Sequence, residues 1–179
     1  MNEKLASKNF VVNMECHLWL IREFLPAMVD KNKGQIVSVA SMAGIEGVPY
    51  MADYCASKFG AVGLQESLRI EMLRAKKNIV CTTICPFFIN TGMFDGVKAS
   101  LLYPFLDQDY VIKRMCDAIL QNEGEVSIPW SMGVITHSVK GFFSSSVCDF
   151  LVWLVIGYDA MADFRGRQEQ NAIFKTGEK

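Results

Sequence analysis

Two short apolar runs, QIVSVAS at residues 35–41 and NIVCTTIC at 78–85, constrain this chain more than any other feature. Each is rich in Ile and Val and alternates little between apolar and polar, the pattern of a strand buried on both faces in a parallel sheet. Pro86 stops the second run. A strand, a helix and a parallel strand in succession make one right-handed crossover unit, and residues 51–76 read as the helix. Ala56, Ser57, Gly60, Ala61 and Gly63 give it a smooth side for close approach to the sheet. Gly44, Gly47 and Pro49 form the loop before it. In open α/β sheets ligands bind at the carboxyl ends of strands, where Ser41 falls.

The crossover helix carries candidate chemistry. Tyr54 and Lys58 stand four residues apart in Tyr-Cys-Ala-Ser-Lys, on one helix face, with Ser41 thirteen positions before the tyrosine. A free phenol has a pKa of about 10 and is protonated at neutral pH. A cation at roughly 4 Å, in an effective dielectric near 20, is worth at most about 4 kcal/mol, or close to 3 pK units. That would bring a tyrosine into range for proton transfer. By chance alone a Tyr-x-x-x-Lys is expected roughly 0.3 times in such a chain, so the pair draws its weight from its surroundings. Tyr50 lies four residues before Tyr54 but has no lysine four residues on.

With a strand ending in Ser41, a glycine loop, the dyad on a helix of small residues and a strand ending in Cys85-Pro86, the chain resembles the short-chain dehydrogenase/reductase family. IVSVAS-x-AG followed by YCASK carries that resemblance. The Cys-Pro-Phe-Phe-Ile-Asn-Thr-Gly-Met-Phe run, the Ala40-Ser41-Met42-Ala43-Gly44 loop and the apolar C-terminal stretch look most like its epidermal retinol dehydrogenase group. The resemblance implies hydride exchange between NAD or NADP and retinol, retinal or a related lipophilic alcohol or ketone. Tyr54 would be the general acid/base and Lys58 would lower its pKa and hold the nicotinamide ribose. Ser41 would position the substrate oxygen, and Asn13 would support a proton relay. Pro86, Ile89 and Thr91, with Tyr54 and Lys58, would meet the cofactor's nicotinamide end, although Phe87 stands where the family commonly has glycine. It implies as well a homo- or hetero-dimer through the helices at 5–28 and 51–76, and a cytosol-facing location at the endoplasmic reticulum membrane.

The family seats its dinucleotide on a Thr-Gly-x-x-x-Gly-x-Gly turn, where glycines let backbone amides approach the pyrophosphate. No glycine precedes Gly34 here. The expected fold is therefore α/β, the C-terminal half of a Rossmann-like doubly wound parallel sheet lacking the N-terminal dinucleotide-binding strands. The strand at 35–41 should then present an open edge. The expected unit is a partial catalytic domain at 1–140 followed by an apolar segment and polar tail at 141–179. Its activity would be impaired by the missing turn; the alternative is an inactive product or a dimerisation partner of a longer relative.

Residues 5–31 read as one amphipathic helix, with Phe10, Val11, Met14, Leu18, Ile21, Leu25 and Met28 at helical steps and Pro26 bending its last turn. His17 and Trp19 read as packing residues. Residues 109–122 suggest a helix, 125–129 a short strand, and 93–106 an apolar loop over a lipophilic substrate, loaded with Met93, Phe94, Leu101, Leu102, Tyr103 and Phe105. Between Val126 and Tyr158 only Lys140 and Asp149 carry charge, yet no run reaches the roughly 18–20 residues of a spanning helix. Phe142, Phe143, Phe150, Leu151, Trp153, Leu154 and Val155 would lie in a membrane surface, cover a hydrophobic channel, or pack on the domain or a second subunit. The net charge of −1 gives no electrostatic case for nucleic acid. Six cysteines without framework spacing suggest reduced, buried thiols and no zinc site, and the polar N-terminus holds no secretory signal.

Overall fold

In the computed structural model, which describes residues 3–164 apart from 95, 99 and 101, the two apolar runs pair in parallel. β1 (Gly34–Val39) lies beside β2 (Ile79–Pro86), with Gly34 opposite Ile79 and Val39 opposite Ile84. β3 (Glu125–Ile128) adds in parallel on the far side of β2, Thr83 facing Glu125. The order β1-β2-β3 makes β2 the central strand, and it is almost wholly buried. β1 differs from the expectation of burial on both faces. Having one neighbour among the described strands, it is largely half-buried, and Val39 is 45% exposed.

The N-terminal helix has the expected extent but not the expected regularity. α1 (Glu3–Phe10) passes through a π turn (Val11–Glu15) into α2 (Cys16–Lys31). α2 continues through Pro26 and ends at Asn32, whose left-handed backbone (φ 47°) lets the Lys33 amide return to the Met28 carbonyl at 3.1 Å. α3 (Ala52–Arg74) is the crossover helix, and α4 (Gln108–Leu120) leads into β3. Ile21, Leu25 and Met28 of α2 pack with Leu68 and Met72 of α3 on one face of the sheet, over Ile79 and Cys81. Val111 and Ala118 of α4 cover the other face, over Ile84, Val126 and Ile128. Trp19 points away from both layers and is exposed, so it is not the packing residue its spacing suggested.

Within α3, Ser57 and Ala61 form the fully buried part of the smooth side and Gly60 lies against Met14. Ala56 is exposed and Gly63 faces open space. The closest approach is made from the loop. A Cβ on Gly44, in the 3-10 turn Met42–Gly44, would stand 2.7 Å from the Lys58 carbonyl oxygen and 2.9 Å from a Val62 methyl. A buried amide completes the attachment. Gln65 Nε2 donates to the carbonyls of Ile36 at 2.8 Å and Thr82 at 3.4 Å, so one side chain bonds both strands.

The low-charge stretch after β3 forms two helices, α5 (Trp130–Phe142) and α6 (Ser145–Val155). Among the described residues, no helix is long and apolar enough to cross a membrane. Leu101 and the polar tail at 165–179 lie outside the described residues. Of the cysteines, Cys55, Cys81 and Cys85 are buried, whereas Cys116 is exposed on α4 and Cys16 and Cys148 are half-buried.

Gly44→Ala should cost about 1–3 kcal/mol, because the backbone of α3 cannot yield as a flexible side chain would; an unchanged urea midpoint would show the contact to be slack. Burial pushes the Cys85 thiol up from 9.0 to about 12. A folded pKa above the unfolded one supplies stability that is intact below about pH 9 and lost as pH rises toward 12, up to about 4 kcal/mol. Urea titrations on either side of that window should show the loss, and Cys85→Ala should remove most of it. An equal loss in the variant would assign the effect elsewhere.

Candidate functional site

Where β1 ends, Ser41 is extended (φ −172°) and its Oγ accepts the Ala43 amide at 3.1 Å, capping the 3-10 turn. Gly44, seated on the backbone of α3, brings this turn against the first turns of that helix. Tyr54 therefore stands near Ser41, and both line one pocket. Lys58, one turn on, is 9% exposed; its ammonium donates to the Val39 carbonyl at 3.3 Å and lies 5.8 Å from the centre of the Tyr54 ring. The structure thus brings Ser41, Tyr54 and Lys58 together at the carboxyl end of β1.

Their electrostatics differ from the expectation that Lys58 would pull the tyrosine down. Burial holds the Tyr54 phenol above its ordinary value, against which the nearby Ser41 hydroxyl works downward. The ammonium is aimed at a carbonyl and a ring face rather than at the phenolic oxygen. Burial also lowers the pKa of Lys58 itself.

Asn13 lies inside the π turn and donates through Nδ2 to Ser57 Oγ at 3.1 Å. Ser57 in turn donates to the Tyr54 carbonyl at 2.7 Å. Asn13 is thus bonded to the helix that carries the dyad, not to the dyad's own functional atoms. His17 departs from the packing role expected of it: its Nδ1 is 3.1 Å from Ser38 Oγ, which donates to Gln65 Oε1 at 3.2 Å. Burial, and then the charge of Lys58, lower the His17 pKa and favour the neutral ring. Ser38 and Gln65 are residues that reading the sequence did not single out. Their only sequence signal is a polar side chain in an otherwise apolar strand and helix face.

Pro86 ends β2, and the Phe87 amide is taken by the Ile128 carbonyl at 2.8 Å. The Phe87 ring is buried, its centre 4.5 Å from Phe88 and 6.2 Å from Tyr103. Ile89 bridges to Leu106, and the Thr91 amide returns to the Ile89 carbonyl at 2.8 Å. Thr91 Oγ1 accepts the Met93 amide at 3.4 Å. Pro86 thus closes β2, and Ile89 and Thr91 lie in the turn that follows it.

Between these turns and the α5–α6 pair lies an open-mouthed apolar pocket, with Ser41 and Tyr54 in its wall. Phe87, Phe88 and Tyr103 form one side; Met132 and Val139 of α5 and Leu151 and Val155 of α6 form the cover. The inner faces of α5 and α6 are therefore the lining of a cavity. Their outer faces are also apolar: Phe142 at the tip is 84% exposed, and Phe150 and Trp153 stack at 5.6 Å on the outside of α6.

The residues fit one end of a dinucleotide. Tyr54 and Lys58 with the Pro86–Thr91 turn line the carboxyl ends of adjacent strands, where a nicotinamide ribose would meet a phenol and an ammonium. They do not fit the other end. Among the described residues no strand, glycine turn and helix precede β1 to seat a pyrophosphate.

A profile of the short chain dehydrogenase family matches residues 1–101. Epidermal retinol dehydrogenase 2 of Mus musculus is 46% identical over 130 residues, covering 71% of this chain and 42% of that protein. Retinol dehydrogenase 10-B of Danio rerio is 39% identical, covering 98% of this chain and 54% of its own length. The chain thus spans about half the length of these curated relatives. Among solved structures, a short chain dehydrogenase/reductase from Burkholderia phymatum in complex with NAD superposes with a TM-score of 0.59 at 22% identity, over 72% of this chain and 54% of that one. That likeness is one of fold, a three-stranded parallel sheet flanked by helices as part of a Rossmann arrangement. The chain belongs to the short-chain dehydrogenase/reductase family and is similar to its epidermal retinol dehydrogenase group.

Proposed function

We propose that this chain carries the substrate pocket and proton-transfer group of an NAD(P)-dependent oxidoreductase acting on retinol, retinal or a related lipophilic alcohol or ketone. One observation carries the reading: an almost wholly apolar pocket has Ser41 and Tyr54 in its wall. An apolar lining with two hydroxyl-bearing residues suits a lipophile with one reacting oxygen. Ser41 holds that oxygen by a hydrogen bond. Tyr54, kept protonated at neutral pH by burial, gives its phenolic proton to a carbonyl oxygen as it gains charge, and takes a proton back from an alcohol in the reverse direction. Lys58 and the Pro86–Thr91 turn hold the nicotinamide end of the dinucleotide, which supplies or accepts the hydride when bound. Asn13, through Ser57, fixes the turn of α3 that presents Tyr54. The pyrophosphate needs a seat beyond the residues described.

The same reading places the outer face of the α5–α6 pair against a membrane surface, from which a lipophile reaches the pocket directly. Its support is the exposed Phe142, Phe143, Phe150, Trp153 and Leu154 on the wall opposite the lining.

Three measurements test these statements. Tyr54→Phe should lower retinal reduction with NADH or NADPH by about 10²-fold or more while leaving retinal binding intact; undiminished turnover in the variant would remove the tyrosine from its role. Since the raised phenol pKa favours the protonated form, oxidation should gain more than reduction as pH rises. Flotation with neutral liposomes should recover the wild-type chain, and replacing Phe142 and Phe143 by Ser should release it. Recovery of neither protein would dismiss the membrane contact.

A further inference from the structure

Glu46 has the only formally charged side chain among the described residues that line the pocket. It leaves the 3-10 turn two residues after Gly44, with its amide on the Met42 carbonyl at 2.8 Å. Its side chain is 18% exposed, and Lys140 holds it from above, with Nζ 3.5 Å from Oε1. The Gly47 amide donates to the same oxygen at 3.3 Å. Lys140 is itself fixed, because its ammonium donates to the Ile45 carbonyl and lies 5.1 Å from the centre of the Phe59 ring. Both contacts on the carboxylate fall on Oε1, and a carboxylate can accept about four hydrogen bonds over its two oxygens. Acceptor capacity therefore remains in a wall that is otherwise almost wholly apolar.

We propose that Glu46, steadied by Lys140, is a specificity-determining residue of the pocket and selects lipophilic alcohols or ketones that carry a second hydrogen-bond donor away from the reacting oxygen. This rests on the reading of the cavity as a lipophile site. A ligand that ends in a methyl group against Glu46 strips water from a carboxylate without replacing it, an unfavourable exchange. A ligand that ends in a hydroxyl donates to it. A site built to accept from a hydroxyl discriminates against the analogue that lacks one far more sharply than an apolar site does. An ionised carboxylate only accepts hydrogen bonds, so an acceptor-only group such as an ether should gain nothing. Ser41 and Tyr54 remain the partners of the reacting oxygen, and Glu46 takes no part in proton transfer.

The test compares dodecanol, its terminal diol and the mono-methyl ether of that diol, whose flexible chains need no assumed spacing. Binding to the purified chain is read by displacement of Nile red. The wild type should favour the diol over dodecanol by about tenfold more than Glu46→Leu does. Glu46→Gln, which keeps an acceptor, should retain part of that preference, and the ether should bind the wild type no better than dodecanol. The last comparison needs no variant, so it decides the matter even if Glu46→Leu fails to fold. Equal diol preference in wild type and Glu46→Leu, or an ether that binds as well as the diol, would refute the role of Glu46 while leaving the lipophile pocket intact. Displacement by none of the three ligands would overturn the pocket reading and this inference together.

Discussion

Parallel pairing of β1 with β2 is the constraint from which the rest of the molecule follows. Parallel neighbours need a return crossing, and here α3 makes it. A crossing of this kind leaves the end of one strand, the start of the helix and the end of the next strand at a single edge. Ser41, Tyr54 and Phe87 meet there for that reason, though they are far apart in the chain. The bond from Lys58 to the Val39 carbonyl joins helix to strand at the edge, and the Gln65 amide joins helix to both strands in the interior. Sliding α3 along the sheet would leave that buried amide without partners, at a cost of about 1–3 kcal/mol for each group exposed to no acceptor.

The remaining walls of the cavity come from elements that have no part in this crossing. The aromatic turn after β2 supplies Phe87 and Phe88, and the α5–α6 pair closes the top. α6 is apolar on the side toward the pocket and apolar again on the side toward solvent. A helix with a single buried stripe would need far fewer such residues.

β1, β2 and α3 were legible in the sequence because each is local. Six to eight apolar residues in a row describe a buried strand wherever they occur, and Tyr54 with Lys58 are neighbours on any helix. The family resemblance was legible for the same reason, since its motif runs without interruption from β1 into α3. Features that depend on remote pairs were not. The link from His17 to Ser38 spans 21 residues and the link from Lys140 to the Ile45 carbonyl spans 95, and no periodicity announces either. The open edge of β1 was legible only through the family resemblance, because composition describes a strand's side chains and not how many neighbours it has. The raised pKa of Tyr54 had the same origin: spacing brought Lys58 near, but burial and the direction of its ammonium decided the sign.

The π turn at Val11–Glu15 sets the phase of everything before it. Each residue of an α-helix advances the side chains by about 100°, so a turn holding one extra residue rotates α1 by roughly that angle relative to α2. Two helices that seem continuous in sequence therefore face different directions. α2 turns Ile21, Leu25 and Met28 to the sheet, whereas α1 instead presents Asn9 to Asp53 at 2.8 Å, at the start of α3. Removing a single residue between 11 and 15 would leave a helix with better local geometry and a misdirected first half. The irregularity is thus an angular offset written into the chain, by which one long rod serves two surfaces that are not in line.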